Sequence, residues 1–448
     1  MNQSSQTPWN PGSWKAYATR QQPAYDNPLS VAKVADELAT KPPLVSIGEI
    51  ERLQGALEDA AAGKRFVLQG GDCAECFADC TEASLTSKLK VLLQMSLVLT
   101  YATRKPTVRI GRIAGQYAKP RSQEFETADG VELPVYRGDL VNSREPVAEL
   151  RKPEPSRMLD GYHHAAASLN FIRALIEGGF ADLHHPEQWD LSFIEGSTHR
   201  KAYRQAMDAI VDSIRFMETI GAAHAIETVR RVDYYASHEA LLLPYEEALT
   251  RLADNGLYYN FGAHFLWVGY RTAFPESAHI EYLRGIQNPI GIKIGPGSNE
   301  DDILTIMDLL DPKHRAGRLT LITRFGETAI EEHLPRIIDR VKQSGHPVVW
   351  SCDPMHGNTE TTANGLKTRR LDAIFSELEQ CFAIHERMDS TLGGVHFELT
   401  GDPVTECFGP FGDVQESDLM RCYETACDPR LNGAQALEMA FLLARLLR

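Results

Sequence analysis

Four residue types that bind divalent cations stand just beyond short, β-rich runs of this chain. Phe66 to Gly70 leads into Gly71-Asp72-Cys73, and the apolar run 348–351 leads into Asp353-Pro354 and then His356. The run 393–399 carries Glu398, and Cys427-Asp428-Pro429 closes a fourth. Asp-Pro and Gly-Asn pairs are turn chemistry, so each candidate ligand is held by a rigid strand end yet open to a ligand. A mixed thiol, imidazole and carboxylate set suits Mn2+, Co2+, Fe2+ or Zn2+ better than Mg2+. Cys73, Cys76 and Cys80 form a C-x2-C-x3-C cluster, but the chain has no second C-x2-C to complete a structural zinc site.

Cations end other runs. Arg112, Arg271, Lys293 and Arg324 occupy such positions, and Lys119 and Arg121 flank a proline in the turn that also holds Ser122. Convergence of these charges on one surface is costly without an anionic ligand. The chain as a whole has a net charge of −15, so the local excess points to one or two phosphorylated substrates gripped by guanidinium forks. The same net charge argues against nucleic-acid and anionic-membrane binding. With no long apolar run and no signal-peptide core at its polar N-terminus, the sequence reads as cytoplasmic and free of membrane contact.

The elements that must position these groups alternate. Residues 1–50 read as an arm punctuated by Trp9, Trp14 and several prolines, with a short helix at 31–38, and a helix follows over 47–62. A first strand at 65–70, a leucine-rich helix at 84–101 and a second strand at 107–113 come next, then a loop-like stretch at 123–155. Helices are expected at 162–177, 199–220 and 238–252, without a strand between them. Tyr203, Met207, Ile210, Ile214 and Met217 give the middle one a narrow apolar seam, suited to oligomer or effector contacts. Strands are then expected at 263–269, 291–295, 319–323, 348–351 and 394–399, separated by helices at 300–310, 328–343 and 365–386, and a last helix spans 433–447. With 423–426 as the eighth strand, the order is that of a (β/α)8 TIM barrel. It would carry an N-terminal extension at 1–62, a catalytic barrel at 63–448 and a helical insertion at about 155–235 between strands 2 and 3. Reading strand ends in order gives Cys73, Arg112, Arg271, Lys293, Arg324, His356, Glu398 and Asp428, which puts the four metal candidates on strands one, six, seven and eight. Cys427, next to Asp428, is expected beside Cys73.

Longer motifs identify a family. QGGDCAE (69–75), GRIAGQYAKPRS (111–122), YRGD-x-VN (136–142), RG-x-x-NP-x-G-x-K-x-G (284–295), CDPMHGNT (352–359), GG-x-H-x-E-x-TG (393–401) and ETACDPRLN (424–432) resemble type II 3-deoxy-D-arabino-heptulosonate 7-phosphate synthases. The likeness runs from about residue 8 to the C-terminus. It implies a transferase of aromatic biosynthesis that condenses phosphoenolpyruvate with erythrose 4-phosphate and releases phosphate. Cys73, His356, Glu398 and Asp428 match the family's metal ligands, for Mn2+ or Co2+ first, with Zn2+ and Fe2+ as alternatives. Arg112, Lys119, Arg271, Lys293 and Arg324 match the groups that hold phosphoenolpyruvate, and Arg121 and Ser122 the region that receives the aldose phosphate. Arg112 and Lys119 are the expected catalytic groups.

The resemblance also implies a homodimer or homotetramer, aromatic amino acids as effectors and chorismate mutase as a partner. One departure stands out: the family's G-E-R-T-R segment is here Gly269-Tyr270-Arg271-Thr272-Ala273. The lost acid and second arginine bear on substrate preference, so condensation with a modified four-carbon aldose phosphate in specialised metabolism is the alternative reading. A metal-dependent aldolase and a silent regulatory subunit are the remaining rivals.

Overall fold

The fold is given by a computed structural model. It describes residues 8–128, 130–178, 233–410 and 414–447, with positions 201, 205, 208, 209, 212 and 219 between. The apolar seam expected at 199–220 lies outside the described residues.

Eight parallel strands close into a barrel: β1 (Phe66–Gly71), β2 (Thr107–Arg112), β3 (Tyr235–Glu239), β4 (Phe265–Val268), β5 (Ile290–Ile294), β6 (Leu319–Thr323), β7 (Val348–Cys352) and β8 (Leu392–Glu398). Each strand pairs with its sequence neighbour, and β1 pairs with both β2 and β8, which joins the ends. These runs are short, rich in Val, Ile and Leu and buried along almost their whole length, as parallel strands covered on both faces must be. The closing register sets Gly71 opposite both Arg112 and Glu398. Gly71 has φ +146°, and a Cβ there would stand 2.6 Å from the Arg112 carbonyl oxygen. Only glycine lets the chain turn so close to β2 and deliver Cys73 to the barrel mouth.

Four sequence expectations are corrected. The segment expected as a helix at 238–252 begins inside β3, followed by the short α5 (Leu243–Ala248). The third strand is therefore Tyr235–Glu239, and 423–426 forms no strand. Asp428 lies instead in the loop beyond β8, so Cys73 follows strand one, His356 follows strand seven, and Glu398 ends strand eight with Asp428 after it. The 123–155 stretch, read as loop, contains an antiparallel hairpin of Phe125–Ala128 and Val131–Pro134. Residues 365–370, expected to open a helix, instead belong to a small sheet: Lys367–Arg370 pairs with Thr359–Thr361 and Cys407–Phe408, and the helix starts only at Leu371.

The helices around the barrel are α1 (Pro28–Ala39), α2 (Ile47–Ala61), α3 (Glu82–Thr103), α4 (Arg157–Glu177), α5, α6 (Ala278–Leu283), α7 (Glu300–Leu310), α8 (Ile330–Ser344), α9 (Leu371–Arg387) and α10 (Gly433–Leu446). Helix α2 starts with a capping box of Ser46 and Glu49, which satisfies two backbone donors at once. Its Leu53, Leu57 and Ala60 pack with Val67, Val108, Ile110, Phe265, Trp267 and Val349 from the strands. This apolar plug fills the N-terminal end of the barrel, leaving the opposite end for polar groups. The arm lies against the barrel's outer helices. The Trp9 indole donates to the Glu281 carbonyl oxygen at 2.9 Å and covers Gly285, and the Trp14 indole donates to Glu247 at 2.9 Å. No helix among the described residues is long and apolar enough to cross a membrane.

Candidate active site and metal centre

The C-terminal mouth of the barrel gathers the charged groups singled out in the sequence. Glu398 ends β8 fully buried, and its Oε1 takes three contacts at 3.1 Å each: Arg112 Nη2, Lys119 Nζ and His356 Nε2. Lys119 Nζ also stands 2.9 Å from Asp428 Oδ2 and 2.8 Å from Cys73 Sγ. Burial works against the Glu398 charge, yet His356, Lys119, Arg369 and Arg112 hold the carboxyl well below the usual range. For Lys119, burial is likewise overcome: Asp428, Cys73 and Glu398 keep its ammonium charged well above the ordinary lysine range.

The donor set fits a divalent ion. Ligand atoms of Cys73, Glu398 and Asp428 lie within 4.8 Å of one another. His356 is oriented from behind, because Asp353 Oδ2 accepts from Nδ1–H at 2.7 Å. Burial opposes the Asp353 charge, but His356 and Lys293 hold this carboxyl well below the carboxylate range, so it can only accept. With Nδ1–H given to Asp353, Nε2 is the ring nitrogen that faces the other candidates, 3.1 Å from Glu398 Oε1. Carboxylate orientation of a histidine from its far nitrogen is the usual arrangement around a bound metal. Cys427 packs with Cys73 and Tyr136 in one buried cluster, as its position before Asp428 implies, and Arg121 Nη1 donates to its thiol at 3.2 Å.

The cations singled out in the sequence line a cavity of about 190 Å³ beside this centre, whose walls include Arg112, Lys119, Arg271, Lys293 and Arg324. Lys293 donates to Asp353 at 2.8 Å, and Arg324 donates to the His356 carbonyl oxygen at 2.8 Å. Arg271 reaches Ser122 Oγ at 2.7 Å, which ties the wall of this cavity to the turn of Arg121 and Ser122. Tyr270 supports the pocket by its ring and its hydroxyl. Its ring lies 5.0 Å from the Arg324 guanidinium carbon, and its hydroxyl accepts from the Gly297 amide at 2.9 Å. A second, larger cavity of about 470 Å³ opens from Tyr270 and Arg271 towards Ala273 and the arm residues Arg20 and Gln21.

Two residues of the mouth had no signal strong enough to be read from sequence. Glu239 ends β3 and enters the 190 Å³ cavity; burial raises its carboxyl, and Oε1 has no hydrogen-bond partner. Gly269 makes room for it, since a Cβ there would meet Glu239 Oε1 at 2.0 Å. Arg369 is fully buried, with Nη1 2.8 Å from Glu398 Oε2, close for a charge pair though not aligned as a hydrogen bond. A turn-like charge run around Lys367 to Arg370 was the only hint of it.

Comparison with known proteins decides the family. The profile of the class-II DAHP synthetase family matches residues 9–444. The chain belongs to that family. A phospho-2-dehydro-3-deoxyheptonate aldolase of Neurospora crassa is 47% identical, over 97% of this chain and 94% of its own length. Proteins of the same name from Streptomyces coelicolor and Mycolicibacterium smegmatis are 44% and 43% identical, over 97% and 96% of this chain and 97% and 92% of theirs.

Proposed function

We propose that this chain condenses phosphoenolpyruvate with D-erythrose 4-phosphate and water to give 3-deoxy-D-arabino-heptulosonate 7-phosphate and phosphate, opening the shikimate pathway. The supporting observation is the meeting, at one barrel mouth, of six cations, Lys367 among them, around a single cavity with a four-residue metal set against its wall. Family membership supports the same reading.

Cys73, His356, Glu398 and Asp428 would hold a divalent ion, Mn2+ or Co2+ before Zn2+ or Fe2+ given the single soft ligand. When bound, it supplies Lewis acidity towards the aldehyde oxygen. The chain's own groups account for the other steps. Arg112, Lys119, Arg271, Lys293 and Arg324 bind the carboxylate and phosphate of phosphoenolpyruvate and orient its C3 to the aldehyde carbon, replacing a chance encounter by a fixed approach. Arg121 and Ser122 receive the phosphate of the aldose. As C3 forms the new carbon–carbon bond, Lys119 gives a proton to the aldehyde oxygen, which becomes a hydroxyl. Water adds to the electron-poor C2, and Glu239 is placed to take its proton, since burial raises the carboxyl and leaves Oε1 free to accept. The C2–O bond to phosphate then breaks, phosphate leaves with the bonding pair and takes the proton of the C2 hydroxyl, and C2 becomes the ketone.

Tyr270 and Ala273 favour a second reading, in which a modified four-carbon aldose phosphate is the acceptor, because the 470 Å³ cavity reaches the site at these positions. Division into an arm at 1–62 and a barrel at 63–448 with an insertion near 155–235, assembly as a homodimer or homotetramer and control by aromatic amino acids belong to the same proposal. The test is phosphate release from phosphoenolpyruvate with erythrose 4-phosphate and with its amino and deoxy analogues, before and after chelation and Mn2+ return. Full turnover in chelated protein, or release with no four-carbon phosphate, would exclude this scheme.

A further inference from the structure

A second group of metal-competent side chains stands at the opposite end of the barrel. Asp308 is on α7, His314 is in the loop between α7 and β6, and His346 is in the short link between α8 and β7. A ligand atom from each lies within 4.8 Å of the other two. We propose that Asp308, His314 and His346 form a second divalent-cation site of zinc-type chemistry, which ties the α7–β6 loop to the entry of β7.

The case rests on the hydrogen-bond geometry around His346. Ser344 Oγ has one proton and donates it to the Val341 carbonyl oxygen at 2.7 Å. Towards His346 Nδ1, 3.1 Å away, the same oxygen can only accept. Nδ1 therefore carries the ring proton, and Nε2 presents a lone pair. The side chain is 1% exposed, and Nε2 has no hydrogen-bond partner. Its nearest carboxylate oxygen, Asp308 Oδ1 at 3.5 Å, is also an acceptor. Two acceptors facing each other at a buried nitrogen call for a cation between them. The Asp311 backbone carbonyl, a further acceptor beside this ring, takes the His314 amide at 3.1 Å. Asp311 itself is already engaged, accepting from the Arg315 amide at 2.7 Å and facing Arg315 Nε at 3.5 Å.

His314 supplies the third donor. It adopts φ +51°, a left-handed conformation uncommon for a side-chain-bearing residue, and this places its ring 3.7 Å from that of His346 with 18° between the planes. Parallel rings send their lone pairs side by side, so His314 must turn about its side-chain torsions to share an ion, and its exposure leaves room to do so. Ser344 holds His346 in place meanwhile, which is the outer support that a metal-binding histidine requires. Two imidazoles and one carboxylate select zinc-type ions over Ca2+ or Mg2+. An ion here lies far from the barrel mouth and links two crossover segments, so its effect is on stability.

The experiment is equilibrium dialysis of the untagged full-length chain against Zn2+, combined with thermal unfolding. Wild type should take up one equivalent at the mouth and one here. Cys73→Ala should keep the second, and adding His314→Ala or Asp308→Asn should weaken it at least about tenfold. Both are surface side chains, so the fold survives their replacement. Zn2+ should raise the melting temperature of Cys73→Ala and leave that of Cys73→Ala/His314→Ala unchanged. Identical isotherms for Cys73→Ala with and without His314→Ala and Asp308→Asn overturn the site.

Discussion

Lys119 Nζ stands 2.8 Å from Cys73 Sγ. The same ammonium touches Glu398 and Asp428, so one cation is in contact with three of the four proposed metal ligands. Lys119→Met keeps the length of the side chain and removes its charge and proton. Turnover should fall about 10²–10³-fold, the usual effect of losing one preorganised electrostatic group, while the bound Mn2+ measured by atomic emission stays near wild type. Cys73→Ser should reverse the pattern, with metal content falling first. A lysine variant that loses its metal in proportion to its activity would make Lys119 a structural support only.

Arg369 and Glu398 are both fully buried. Arg369→Met leaves a carboxylate short of one counter-charge, and breaking one partner of a buried pair costs about 3 kcal/mol or more. Urea unfolding should show this loss, with Arg369→Lys intermediate because it keeps the charge without the planar fork. Wild-type stability in Arg369→Met would mean that Arg112 and Lys119 suffice for Glu398.

Tyr270 holds Arg324 by its ring and the Gly297 amide by its hydroxyl. A partly buried cation–π contact is worth about 1–2 kcal/mol. Tyr270→Ala should therefore raise the KM for phosphoenolpyruvate roughly tenfold, whereas Tyr270→Phe keeps the ring and should change it far less. Equal KM values in the two variants would place the role of Tyr270 in the hydroxyl.

Glu377 accepts from the Phe325 and Gly326 amides at 2.9 Å each and from Asn358 at 2.8 Å, behind the mouth. Burial nevertheless raises its carboxyl from 4.5 to about 8. The folded state thus binds this proton more tightly than the unfolded one. Its contribution is complete below about pH 4.5 and is lost as pH rises through about 8. Glu377→Gln has no such proton, so wild type should lose on the order of 3–5 kcal/mol relative to the variant across that window. Denaturant midpoints at pH 5, 7 and 8.5 check it, and a constant difference between the two proteins would rule out the titration.

Most of the barrel was legible because its strands are compact apolar runs ended by turn residues, as in Val348–Cys352 before Asp353-Pro354. β3 was not. Tyr235–Glu239 holds Ser237, His238 and Glu239, which look outward-facing in sequence but are buried. Ser237 Oγ donates to the Gly111 carbonyl oxygen at 3.0 Å and His238 pairs with Glu246 at 2.9 Å, so partners on other elements make these polar residues tolerable inside. Missing that strand displaced the numbering of the others and hid Glu239. Asp428 was found by its motif but assigned to a strand it does not occupy, because a loop that returns to the mouth leaves no periodicity. Arg369 went unread for a related reason: its counter-charge, Glu398, lies on another element, and pattern carries no record of such pairing.

The closing pair of the barrel joins Val67 to Gly394, and the cavity draws its walls from residues spread between Arg112 and Asp428. No contiguous fragment of the chain holds more than a fraction of the site. A growing polypeptide is accordingly inert until its last strand has been made and has found its first, and contacts of such separation form late. Recovery of turnover after dilution from denaturant should lag the return of helical signal. The enzyme's own reaction thus serves as a clock for barrel closure.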